Sequence, residues 1–185
     1  MVNESDVIEA LDASPLGEVL ERADLTRLAA IGTLRDAPAG ETLRSEGEAG
    51  GTLIVLLSGV VEVVKADRRG ERQLIELGPG ALLGEIGFLC GKPATATLRT
   101  RQESRIFELP REEFAALAER EEPTAMRLSL ALARVLATRL SRMNDKAFEL
   151  CDEVARELER SGAPEASARV RDLAAFRAQL SDLEF

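Results

Sequence analysis

The sequence predicts a mainly β core with helices at both ends. Three observations carry that prediction. Short β-rich runs broken by glycine fill residues 33–109, amphipathic helical spacing precedes them, and no glycine or proline interrupts the chain from Thr124 to Ser161. Strand-like segments recurring every 8 to 12 residues indicate an all-β sandwich or barrel.

Residues 5–12 suit a short helix with Val7, Ile8 and Leu11 on one side. Ser14-Pro15 then supplies N-cap and first-turn residues for a second helix running to about Ile31, with Leu16, Val19, Leu20, Leu25 and Leu28 as its apolar positions. From Thr33 the texture changes. Thr42-Leu43, Leu53 to Leu57, Val60 to Val64, Leu74 to Leu77 and Arg105 to Leu109 succeed one another between glycine-rich corners. In Val61-Glu62-Val63-Val64-Lys65 the alternation is imperfect, as in a strand covered on both faces.

Past Arg111 the spacing is helical again. A short helix carries Phe114 and Leu117 and ends at Glu121-Glu122-Pro123, because the residue before proline is driven out of the helical region. A long helix begins near Pro123. Unbroken, it would measure about 57 Å at 1.5 Å per residue, with Asn144-Asp145 the best place for a break. Ala133, Leu136, Leu140, Met143, Ala147, Leu150 and Val154 alternate spacings of three and four, the repeat of a coiled-coil seam. The same stripe also suits packing on the β core or on the last helix. Ser161-Gly162-Ala163-Pro164 stops the helix, and residues 165–183 read as one more amphipathic helix with Val170, Leu173, Phe176 and Leu180 on a face.

Composition narrows the function classes. The chain has 185 residues, 45% of them apolar, and a formal net charge of -9. That charge opposes non-specific attraction to nucleic acid or to anionic membranes. No apolar run is long enough to span a bilayer, and the acidic amphipathic start does not read as a signal peptide. Cys90 and Cys151 show no metal or redox spacing and read as two reduced, buried thiols of a cytoplasmic protein rather than as a disulfide. The absence of histidine removes the commonest metal ligand and general base.

The stretch with chemical content is Gly84-Glu85-Ile86-Gly87-Phe88-Leu89-Cys90-Gly91-Lys92-Pro93-Ala94-Thr95-Ala96-Thr97. After Gly84 about one helical turn can form before Gly91 and Pro93 end it, and the N–H groups at the start of such a turn suit an anion. Glu85 at its mouth can accept hydrogen bonds from a sugar hydroxyl, or be a solvated turn carboxylate. This stretch resembles the phosphate-binding cassette of the cyclic-nucleotide-binding domain family, which reads Gly-Glu, a few apolar residues, then Pro-Arg-Ala-Ala-Thr. Gly84 and Glu85 match the opening pair, Pro93 the proline, and Ala96-Thr97 the closing pair, but Ala94 stands where the family has arginine.

The resemblance covers Ser14 to Leu140 and implies a β jelly roll, also called a double-stranded β-helix, over about 33–110. It implies a domain at 1–140 and a C-terminal helical extension at 141–185. It further implies a non-enzymatic regulatory or sensor protein with Gly84, Glu85, Ile86, Gly87, Thr95 and Ala96 at the ligand, cyclic AMP or cyclic GMP. Without the arginine, binding is expected to be weak or altered; the alternative is a scaffold of the same fold that binds no nucleotide and serves dimerisation or docking. Lys92, Arg99 and Arg101 are the nearby cations, none of them a forked donor at position 94. In many bacterial members the long helix forms the dimer interface, so a homodimer through Leu136, Leu140, Met143 and Leu150 is expected. Bacterial transcription factors of the family continue into a winged helix-turn-helix; here one helix of mixed charge follows, so no DNA binding is expected. Cupins share the jelly roll, but their chemistry needs a histidine-rich metal site, so no metal, no cofactor and no enzyme are expected.

Overall fold

The computed structural model describes residues 4–67, 70–161 and 166–181, with backbone alone at 161, 166–169, 177 and 179–181. The chain divides into two compact units, residues 1–133 and 134–185.

In the first unit, helices α1 (Glu4–Asp12) and α2 (Arg22–Ile31) precede eight strands: β1 (Thr33–Ala37), β2 (Thr42–Arg44), β3 (Thr52–Ser58), β4 (Val61–Asp67), β5 (Gly70–Leu77), β6 (Leu82–Leu83), β7 (Thr97–Thr100) and β8 (Ser104–Pro110). A short helix α3 (Glu85–Cys90) lies between β6 and β7, and α4 (Arg111–Glu119) follows β8. The strands form two four-stranded sheets, β1-β8-β3-β6 and β2-β7-β4-β5, in which every pairing is antiparallel. The inner faces meet through Ala37, Leu43, Ile54, Leu56, Val61, Leu83, Leu98 and Ile106, so seven of the strands feed one core and the jelly-roll expectation holds.

Parts of both sheets are covered outside as well. Phe107 on β8 is buried with its ring against Gly32 at the end of α2, where a Cβ would collide with it. Glu62 on β4 is buried beneath Arg99 and Arg101, which accounts for the broken alternation of that strand.

The second helix starts later than its sequence suggests. Ser14 does cap locally: its Oγ accepts the Leu16 N–H and donates to the Leu11 carbonyl. The chain then turns through bonds from Gly17 N–H to Ser14 O and Val19 N–H to Leu16 O, with Gly17 pressed on the Asp12 carbonyl. That contact admits no Cβ and holds residues 14–20 in tight turns, so α2 begins at Arg22.

Helix α5 (Pro123–Ser161) is continuous through Asn144-Asp145, since neither residue costs a helix interior more than about 0.7 kcal/mol. Within the first unit it buries Thr124, Ala125, Leu128, Ala131 and Leu132 and exposes Met126 and Leu130. In the second unit Leu140, Met143, Leu150 and Val154 are exposed and Leu136 and Ala147 half-buried. Helix α6 (Ala166–Ser181) carries half-buried Val170 and Leu173 and exposed Phe176; the stop at 162–165 and the side chain of Leu180 lie outside the described residues.

Candidate ligand site

The loop from β6 to β7 is built on glycine. Gly84 has φ 76°, and a side chain there would run into the carbonyl of Thr52, so only glycine turns the chain from β6 into α3. The first N–H to close a helical hydrogen bond is that of Phe88, onto Gly84 O at 2.9 Å. The N–H groups of residues 85–87 precede it and sit at the positive end of the turn. Gly91, with φ 65°, ends the helix by donating to Gly87 O at 2.9 Å.

Backbone packs on backbone around this turn. Gly87 lies against Gly50, where an added Cβ would be 2.9 Å from the Gly50 Cα. Ala94 is clamped by a reciprocal pair, its N–H donating to Glu48 O at 2.9 Å and its carbonyl accepting from Gly47 N–H at 2.8 Å. Thr97 Oγ1 accepts the Glu46 N–H at 3.0 Å. Residues 46–50 thus back the return of the loop. On its other side α3 docks on α4: Phe88, fully buried, meets Phe114 with ring centroids 5.1 Å apart, and Arg111 N–H donates to Gly51 O at 2.6 Å.

Of the residues singled out from sequence, Glu85 and Gly87 are buried, Ala96 is half-buried, and Gly84, Ile86 and Thr95 are exposed. Glu85 is therefore no solvated turn carboxylate; it is held at the N-terminus of α3 at 7% exposure. Ala94 is half-buried and offers only a methyl group.

Three neighbouring arginines are committed elsewhere, whereas the guanidinium of Arg111 lies against Gly91 on the loop itself. Arg44 pairs with Glu48 and donates to the Ala49 carbonyl. Arg99 pairs with Glu71 and Glu62, and Arg101 with Glu62 and Glu76, on the outer face of the β2-β7-β4-β5 sheet. The hydrogen bond and charge of Glu71 hold the Arg99 guanidinium above its ordinary pKa. Lys92 is exposed on the loop.

Sequence reasoning missed an apolar wall beside the loop. Leu98, Val63 and Ile75 stand opposite one another across β7, β4 and β5 and so share a face. That face is the core side, since Leu98 belongs to the core and Val63 packs on it, yet Ile75 is 52% exposed. The inner surface is therefore open at the β5 edge, two strands across from β7, where the loop ends at Thr97. The strand register would have been needed to see it, because a bulge between Val63 and Val64 resets the parity of β5. Donor amides, a buried carboxylate and an apolar wall together suit a ligand with an anionic end, a hydroxyl and a flat apolar part.

Residues 34–121 match the family model described as "Cyclic nucleotide-binding domain". A CRP-like cAMP-activated global transcriptional regulator of Mycobacterium tuberculosis is 32% identical over 117 residues, covering 62% of this chain and 50% of the regulator. The chain thus spans about half the length of that relative. A cyclic nucleotide-binding domain from Methylobacillus flagellatus superposes with TM-score 0.69 at 22% identity over 77% of this chain and 81% of its own. The N-terminal domain of a transcriptional regulator from Streptomyces coelicolor superposes with TM-score 0.60 at 29% identity over 74% and 94%.

Proposed function

We propose, from the premise that residues 34–121 make this chain a member of the cyclic nucleotide-binding domain family, that it is a non-enzymatic regulatory sensor with feeble or altered affinity for cyclic AMP and cyclic GMP. The observation that carries the second half is Ala94: a backbone-clamped methyl group stands where a guanidinium would grip the phosphate, and Arg44, Arg99 and Arg101 are engaged with carboxylates.

In this reading the amides of Ile86 and Gly87 face the phosphate, with Thr95 and Ala96 closing over it. Glu85 accepts from the ribose hydroxyl, and Ile75 and Val63 lie against the base. Phe88 passes movement of α3 to Phe114 on α4, and α4 leads through residues 120–122 into α5. The output is a homodimer through Leu136, Leu140, Met143 and Leu150, supported by the exposure of the last three. The free thiols of Cys90 and Cys151 suit a cytoplasmic setting, although Cys90, at the end of α3, is exposed and not buried as its sequence suggests. The second reading, a scaffold that binds no nucleotide, shares the seam and differs at the loop alone.

Titration with cyclic AMP and cyclic GMP to millimolar concentration, followed by calorimetry and thermal shift, tests the proposal. Wild type should bind at hundreds of micromolar or weaker, and Ala94→Arg should tighten binding by about 30-fold to several thousand-fold, the roughly 2–5 kcal/mol of a desolvated bidentate contact. No binding by either protein selects the scaffold. Micromolar binding by wild type that Ala94→Arg leaves unchanged overturns the account of the loop.

A further inference from the structure

Helix α4 ends in a way that its residues do not favour. Glu121 N–H donates to Ala118 O at 3.0 Å and Glu122 N–H to Leu117 O at 3.0 Å, the paired bonds of a Schellman close. That close requires a left-handed residue, a place usually taken by glycine. Here it is Glu121, at φ 54°, which among the described residues is the one non-glycine with positive φ. Strain of this kind persists where the surroundings over-determine it.

The residues immediately after Glu121 are tied to a helix about a hundred positions earlier. Arg27 on α2 grips Glu122 with two hydrogen bonds, Nε to Oε2 at 3.0 Å and the second nitrogen to Oε1 at 2.9 Å. Asp24, 2% exposed, accepts from Thr124 Oγ1 at 2.7 Å, from Arg127 at 3.0 Å and from its own helix at the Glu21 N–H at 3.1 Å. Glu122, Thr124 and Arg127 all lie within the first two turns of α5 or directly before it. The polar clamp and the strained corner are thus adjacent in sequence and belong to the same unit.

We infer that Asp24 and Arg27 form a latch that holds the α4–α5 corner in its left-handed state, so that releasing the latch lets Glu121 relax and changes the angle between the two helices. The device goes beyond the ligand reading and does not depend on it. Asp24 and Arg27 are positioning residues here: they touch no ligand, and they act through the backbone at 121.

A double-mutant cycle between Asp24→Asn and Glu121→Gly tests the latch in the full chain. Glycine removes the left-handed penalty, so Glu121→Gly alone should lower the unfolding constant about five-fold. In the Asp24→Asn background that gain should vanish, because the corner has already left the strained state. Hydrogen exchange at the Glu121 and Glu122 amides should rise in Asp24→Asn at least tenfold more than exchange at the β3 amides, which reports the general loss of stability. Should Asp24→Asn fail to fold, Arg27→Gln combined with Thr124→Val takes its place. Equal gains from Glu121→Gly in both backgrounds, or exchange at 121 and 122 that rises no more than at β3, would overturn the inference.

Discussion

Residues 1–133 and 134–185 handle apolar surface in opposite ways. The first region buries Leu11, Leu16, Leu25, Leu28, Ile54, Leu56, Phe88, Ile106 and Phe107 almost completely, and two of its buried charges, Asp24 and Glu62, each meet arginines. The second leaves Leu140, Met143, Leu150, Val154 and Phe176 between 46% and 68% exposed, with Val135 and Cys151 its buried apolar side chains among the described residues. A region that buries its large side chains can be stable by itself, whereas a helix that exposes a row of them gains free energy from a partner. The first region has exceptions of its own in Leu74, Ile75, Ile86, Met126 and Leu130, of which Ile86 lies on the candidate loop and Ile75 on the apolar wall.

If that contrast is right, the largest loss of fold stability belongs to the first region. Phe88→Ala removes a fully buried ring together with its contact to Phe114, and should cost about 3–5 kcal/mol in urea unfolding. A loss under about 1 kcal/mol would mean that α3 is not anchored on α4. The proposed route from ligand to helix would then fail as well.

The next effect depends on pH. Burial pushes the Asp24 carboxyl up, but hydrogen bonds from Thr124, Arg127 and the Glu21 N–H, with the Arg127 charge, bring it below its ordinary value of 3.8. A carboxyl depressed in the folded state adds stability above its unfolded pKa and loses it as pH falls through the folded one. Stability should therefore decline as the solution is acidified below about pH 4. Asp24→Asn should cost about 2–3 kcal/mol at neutral pH, less than a fully buried pair because Arg127 is about a third exposed, and should flatten that acid decline. An Asn variant with the wild-type acid profile would show that Asp24 is not the group responsible.

Much of this was readable in the residues, and the unread parts share a cause. Glycine spacing located the strands, the Gly84 turn and its end at Gly91, and proline fixed the start of α5, because those residues act through local backbone geometry. Lys92, Arg99 and Arg101 were recognisable as unsuited to replace an arginine at 94. Hidden from the sequence were Ile75 on the inner wall, the partners of Asp24 and the late start of α2. The first depends on strand register, the second on contacts across about a hundred residues, and the third on Gly17 meeting Asp12. None of these leaves a local pattern.

The smallest effect on the fold, and the sharpest test of the contrast, comes from the second region. Leu140 is 59% exposed and Met143 68%, so replacing both with glutamate removes little that the single chain buries. The unfolding free energy of the chain itself should shift by no more than about 0.5 kcal/mol per site. If two copies meet through this seam, each of those side chains is worth about 1.5–3 kcal/mol when buried. Burying them on both copies then makes the dissociation constant of the double variant more than about a thousandfold higher. Sedimentation should accordingly show a dimeric wild type and a monomeric Leu140→Glu, Met143→Glu protein of nearly unchanged stability. Two monomers would leave the row of apolar residues to another partner, and a variant that unfolds would mean that the second region had been stabilising itself through those residues all along.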